Sequence, residues 1–186
     1  MGARAVFLVG FMGSGKTSVG KQLARRLGWE FVDLDARIRT REGKSVPEIF
    51  EERGEAGFRA AETSALVDLT ESLDRDSVVA LGGGAFAQEE NRRLLASSSW
   101  PSIFLQAPVE ELWRRCSSDP EIRPLRKDRK QFEQLHAERL PFYQQATITV
   151  ETSGKDPAVI CAAIEEALQR NEGGAESAPR SSSESN

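Results

Sequence analysis

The sequence predicts an α/β fold: a parallel sheet of about five strands covered by helices on both faces. Short apolar runs of strand length alternate with stretches of helical periodicity along the whole chain. The first run, Ala5-Val6-Phe7-Leu8-Val9, is apolar at every position, as in a parallel strand buried on both faces. It leads into Gly10-Phe11-Met12-Gly13-Ser14-Gly15-Lys16-Thr17, after which Val19, Leu23, Ala24 and Leu27 repeat at helical spacing.

That octapeptide fits G-x-x-x-x-G-K-[ST], the phosphate-binding loop. Its glycines let backbone N–H groups wrap a phosphate, and the following helix presents the positive end of its dipole. Gly13, Ser14, Gly15, Lys16, Thr17 and Ser18 are therefore expected to bind a nucleotide. Lys16 would reach the β/γ-phosphates, and the Thr17 hydroxyl would ligate Mg²⁺.

The remaining elements follow in order. Gly28 stops the first helix, and Glu30 to Asp35 reads as a short strand running into a loop. Ser45, Pro47 and Glu48 form a helix start with a capping box. Phe58, Ala61, Ala65, Leu69 and Leu73 mark a longer amphipathic helix. Ser77 to Leu81 is a buried strand ending in Gly82-Gly83-Gly84. A helix from about 89 to 96, a strand at Ser102 to Leu105 and a helix opened by Pro108 come next. From 117 to 130 the apolar pattern lapses and basic residues gather, so a mobile lid is expected there. Phe132, Leu135 and Leu140 restore a helix that ends at Glu138-Arg139-Leu140-Pro141, with the lone His136 on its surface. Thr147 to Val150 is a last strand, and Asp156-Pro157 caps a closing helix.

With 186 residues, 39% hydrophobic and 29% charged, the chain suits one domain over residues 1–170. Residues 171–186 are polar and small, which predicts a disordered tail. A net charge of -4 argues against a general nucleic-acid binder. Cys116 and Cys161 have neither metal nor redox spacing and are expected to be reduced. No apolar stretch approaches membrane-spanning length and no signal core precedes the first strand, so a cytoplasmic location is expected.

Ligands of such sheets sit at the carboxyl ends of the strands. Asp33 and Asp35 close the second strand, and in extended chain both would project to one side. Phosphoryl transfer to an alcohol needs one carboxylate near Mg²⁺ and one on the acceptor hydroxyl; Asp33 suits the first role and Asp35 the second. Gly82 to Gly84 permit positive φ and close approach of a ligand to backbone. Arg59, with Glu62 one turn on, Arg123 in the lid and Arg139 are candidates to grip carboxylate or phosphate. Spacing alone does not choose among the chain's arginines.

In combination these residues resemble shikimate kinase, from about Val6 to Leu168. The matching pieces are Gly10-x-Met12-Gly13-x-Gly15-Lys16-Thr17-x-x-Gly20, Phe31-x-Asp33-x-Asp35, Gly43-x-Ser45-x-x-Glu48-Ile49-Phe50, Gly54-Glu55-x-x-Phe58-Arg59-x-x-Glu62, Gly82-Gly83-Gly84, Arg123-Pro124-Leu125 and Arg139-x-Pro141-x-Tyr143. The resemblance implies a P-loop fold like that of nucleoside monophosphate kinases, and transfer of the ATP γ-phosphate to the 3-hydroxyl of shikimate by a small monomer. It implies that Asp35 bonds substrate hydroxyls, that Arg59 and Arg139 hold the substrate carboxylate, and that Gly82, Gly83 and Gly84 line its ring. It further implies that Arg123 is the lid arginine, and that Arg115 flanks adenine opposite a loop including Lys155 and Pro157. Two positions depart from the family pattern. Arg39 stands where an acidic residue is usual, and Arg126 where leucine is. A gluconate kinase is the neighbouring alternative, since it shares the phosphate loop and the compact fold.

Overall fold

The computed structural model describes residues 4–98, 100–118 and 128–176. Among these residues five strands form one sheet: β1 (Ala5–Val9), β2 (Glu30–Asp33), β3 (Ser77–Ala80), β4 (Ser102–Gln106) and β5 (Ile148–Glu151). Their order across the sheet is β2-β3-β1-β4-β5, and every pairing is parallel. Among the described residues seven α-helices accompany them: α1 (Lys16–Leu27), α2 (Leu34–Glu42), α3 (Val46–Ser72), α4 (Glu89–Ser97), α5 (Val109–Ser118), α6 (Arg129–Tyr143) and α7 (Pro157–Glu176).

The unbroken apolar runs have a plain cause. Successive side chains of β1 enter two different cores: Ala5, Phe7 and Val9 pack on one face, Val6 and Leu8 on the other. β3 and β4 divide in the same way, with Val79 and Phe104 on the first face and Val78, Ile103 and Leu105 on the second. Residues of α1 and α7, including Val19, Leu23, Ile160 and Ile164, complete the second core. Because β1 lies between β3 and β4, the phosphate loop emerges at the middle of the sheet's carboxyl edge.

Gly20 joins α1 to this sheet. A methyl group there would overlap the edge of the Phe31 ring and lie 3.2 Å from Leu8 Cδ1. Overpacking opposes the gain in helix propensity and outweighs it. Gly20→Ala should therefore lower Tm by roughly 2–6 °C in a thermal melt. An unchanged or raised Tm would mean that the Phe31 ring moves aside freely.

Several expectations are corrected. The second strand ends at Asp33 rather than Asp35, because Asp33 Oδ1 accepts from Ala36 N at 3.0 Å and caps α2. Asp35 therefore stands in a first helical turn, not on extended chain. The Ser45–Glu48 capping box is present, but α3 runs on through a break at Gly54 (φ 67, ψ -174) rather than restarting before Phe58. α6 continues past Pro141 to Tyr143, which puts Arg139 inside the helix. α7 reaches Glu176, beyond the expected boundary at 171. Residues 177–186 and the middle of the expected lid, 119–127, lie outside the described residues, and so do Arg123 and Arg126. His136 is half-buried, its ring set edge-on to Phe11 at 5.3 Å, and burial lowers its pKa.

Candidate active site

Three structural units meet at the carboxyl edge of the sheet. The first is the loop after β1. Gly10, Gly13 and Gly15 have φ of 149°, 76° and 90°, a backbone path that side chains would obstruct. A methyl group on Gly13 would lie 2.7 Å from Cys116 Sγ and 2.9 Å from Leu112 O, so α5 presses directly on the loop. Lys16 Nζ donates to Gly10 O at 2.8 Å and Phe11 O at 3.0 Å. Desolvation pushes its pKa down to about 8, outweighing the attraction of Asp35 and Asp33.

Those carboxylates belong to the start of α2. Asp33 spends one oxygen on its cap, which leaves the other for a ligand. Thr17 and Asp33 both line the cavity beside Lys16. Among the described residues no group of three or more His, Cys, Asp or Glu is placed to hold a metal. Two oxygen donors with room for phosphate and water suit Mg²⁺, which keeps several waters and leans on substrate phosphates. The residues present fit that ion.

The second unit is the end of the cavity lined by Arg59 and Arg139. Arg59 Nη1 donates to Glu62 Oε2 at 2.8 Å, and Gln88 Nε2 donates to the same oxygen at 2.9 Å. Glu62 is 1% exposed, and its burial raises its pKa against the pull of Arg59. The triple glycine is explained by contact rather than by backbone angle: none of Gly82, Gly83 and Gly84 has positive φ. A methyl on Gly82 would lie 2.6 Å from Asp35 Oδ1 and 2.8 Å from Glu62 Oε1. One on Gly84 would lie 2.6 Å from Arg59 Cζ, and one on Gly83 would lie 3.6 Å from Arg139 Nη1. At Gly82 and Gly84 the missing side chains make room for Asp35, Glu62 and Arg59, whereas a methyl on Gly83 would meet Arg139 only at ordinary contact distance. Tyr143, one turn after Arg139, is fully buried and donates its hydroxyl to Gly83 O, fixing the turn from below.

Asp35 is pulled both ways. Desolvation and then Asp33 raise its pKa, while Lys16, Arg39 and Arg59 lower it; the net shift is upward. Arg39, one of the two departures, is exposed on α2 one turn beyond Asp35 and tempers that shift.

A third unit flanks the phosphate loop. Arg115 Nη1 donates to Gly13 O at 3.3 Å, and its Nη2 donates to Glu111 Oε1 at 2.6 Å and to Thr152 O at 3.1 Å. Glu111 was not singled out by the sequence.

One cavity of about 660 Å³ takes in Gly13, Gly15, Lys16, Thr17, Ser18 and Arg115 at one end. It continues past Asp33 and Asp35 to Arg59, Gly82–Gly84 and Arg139. Val46, Phe50 and Phe58 add an apolar wall, the two phenylalanine rings stacked at 4.5 Å. Three expected nucleotide residues do not line it. Ser14 is buried beneath the loop, its N–H given to Phe11 O. Lys155 turns its Nζ to Glu151 O, and Pro157 begins α7.

Comparison with known proteins agrees with this geometry. The shikimate kinase family model matches residues 12–169. A shikimate kinase of Persephonella marina is 42% identical over 154 residues, 83% of this chain and 92% of that protein. The structure of shikimate kinase from Acinetobacter baumannii in complex with shikimate superposes with a TM-score of 0.82 at 36% identity, covering 91% of this chain and 94% of that one. That of shikimate kinase from Aquifex aeolicus gives 0.79 at 37% identity, covering 90% and 98%. The chain belongs to the shikimate kinase family.

Proposed function

We propose that the chain transfers the terminal phosphate of ATP to the 3-hydroxyl of shikimate, as a cytoplasmic monomer. The observation that carries this reading is the single cavity joining Lys16 to Asp35, Arg59, Gly82–Gly84 and Arg139. A triphosphate seated on the loop after β1 would exchange the two backbone carbonyls for its own oxygens at Lys16 Nζ. That exchange returns the ammonium to full charge where negative charge develops. Mg²⁺, held by Thr17 and Asp33, would neutralise phosphate charge.

Arg59 and Arg139 grip the acceptor's carboxylate, and Glu62 with Gln88 locks the Arg59 fork in place. Gly82 to Gly84 leave space for a flat ring against the backbone. Asp35 hydrogen-bonds the acceptor hydroxyl and takes its proton as the oxygen meets phosphorus. Arg123 is proposed to cover the transferring phosphate. No described helix is long and apolar enough to cross a membrane, and Cys116 and Cys161 are both buried.

The reading is tested by ADP release from MgATP with and without shikimate. ADP should appear only when shikimate is present. Release driven by gluconate instead, or no release with either acid, would overturn it.

A further inference from the structure

We infer that Glu111 is the positioning residue that builds the nucleobase end of the cavity. This inference rests on the nucleotide part of the proposed function. Glu111 sits on α5, one turn before Arg115, and its carboxylate ties that helix to the 153–154 turn. Its Oε1 accepts from Arg115 Nη2 at 2.6 Å and from the Gly154 amide at 3.2 Å. Its Oε2 accepts from the Ser153 hydroxyl. The side chain is only 12% exposed, and these donors, Ser153 first, hold its pKa below the usual carboxylate range. These contacts favour its charged form.

The effect on Arg115 is directional. Glu111, Gly13 O and Thr152 O all bond the guanidinium along its edges, which leaves the flat faces without a hydrogen-bonding task. A planar cation held by its rim at the mouth of a phosphate loop offers a stacking surface to a nucleobase. The 152–154 turn, tied to the same carboxylate, supplies the neighbouring wall. Thr152 anchors that turn from inside: it is fully buried, and both its N–H and its hydroxyl are donated to Gln106 O at 2.8 and 2.9 Å. Without Glu111, the turn and Arg115 lose their common partner. The phosphate loop keeps its own internal bonds.

The test titrates two probes into the full chain by calorimetry: ADP, which carries a base, and inorganic tripolyphosphate, which does not. Glu111→Ala should weaken ADP by about ten- to a hundredfold, the scale of losing hydrogen bonds to a charged group, with tripolyphosphate changed by less than about twofold. Unaltered tripolyphosphate binding also certifies that the variant is folded. The near-isosteric Glu111→Gln, which keeps an acceptor and loses the charge, should fall between. In an Arg115→Ala background the Glu111→Ala loss should shrink, because the two residues act as a unit. Equal losses for both probes would make Glu111 a support of the phosphate loop and overturn the inference. So would an unchanged ADP affinity, or losses that simply add. A wild type that binds no ADP would defeat the nucleotide reading itself. Failure of shikimate alone to be phosphorylated would leave the ADP pattern intact, so the two failures are distinguishable.

Discussion

Replacing Asp35 with asparagine is expected to lower kcat by about 10²–10⁴-fold, the range ascribed to a positioned general base, while ADP affinity stays within about twofold. Asparagine preserves the shape but cannot accept a proton at neutral pH. The upward shift of the Asp35 pKa sharpens the expectation. Burial and Asp33 make this carboxylate more basic than an ordinary aspartate despite Lys16, Arg39 and Arg59. A base must be deprotonated to work, so kcat/KM for shikimate should fall as pH drops through a value above the usual aspartate range. Asp35→Asn should remove that acid limb. A variant retaining more than about a tenth of wild-type kcat would reduce Asp35 to an electrostatic or binding role.

Lys16→Met is expected to lower kcat/KM for ATP by about 10²–10³-fold or more, on the scale of losing one preorganised charge-stabilising donor. A second signature is specific to the depressed pKa. In the free protein Lys16 titrates near 8 instead of 10.5, because desolvation exceeds the pull of Asp35 and Asp33. Triphosphate supplies negative charge and raises that pKa, so nucleotide binding takes up a proton wherever the free lysine is neutral. The window opens near pH 8 and closes near the ordinary lysine value. Uptake should be substantially larger at pH 9 than at pH 7. Calorimetry in buffers of different ionisation enthalpy measures it directly. Uptake that does not rise between pH 7 and 9, or that survives Lys16→Met, would contradict the assignment.

Much of this architecture was legible in the chain because its signals are local. The apolar strands are doubly buried and need no alternation to be seen, and the phosphate loop carries its own spacing. Other features were hidden for physical reasons. α2 offers only Leu34 and Ile38 to a core, one turn apart among arginines, so the preceding strand seemed to run on to Asp35. The usable cue was Asp33 as an N-cap three residues before Ala36. Pro141 suggested a helix end, yet α6 carries it in its last turn. Gly82 to Gly84 were expected to permit positive φ and to let a ligand approach the backbone. None has positive φ, and Gly82 and Gly84 leave room for Asp35, Glu62 and Arg59, which only the folded arrangement reveals. Selecting Arg59 and Arg139 from many arginines required the family resemblance, and Glu111 escaped altogether. Its partners at Ser153 and Gly154 lie more than forty residues away, and no short motif encodes that meeting.

The central claim is that one cavity places a ring acid's hydroxyl against the terminal phosphorus, with its carboxylate clamped at the far end. The most direct measurement is phosphorus–carbon correlation NMR on the product formed from shikimate and MgATP. The account predicts a single phosphate ester on carbon 3. An ester on another carbon, a mixture of positions, or an acyl phosphate on the carboxylate would contradict it.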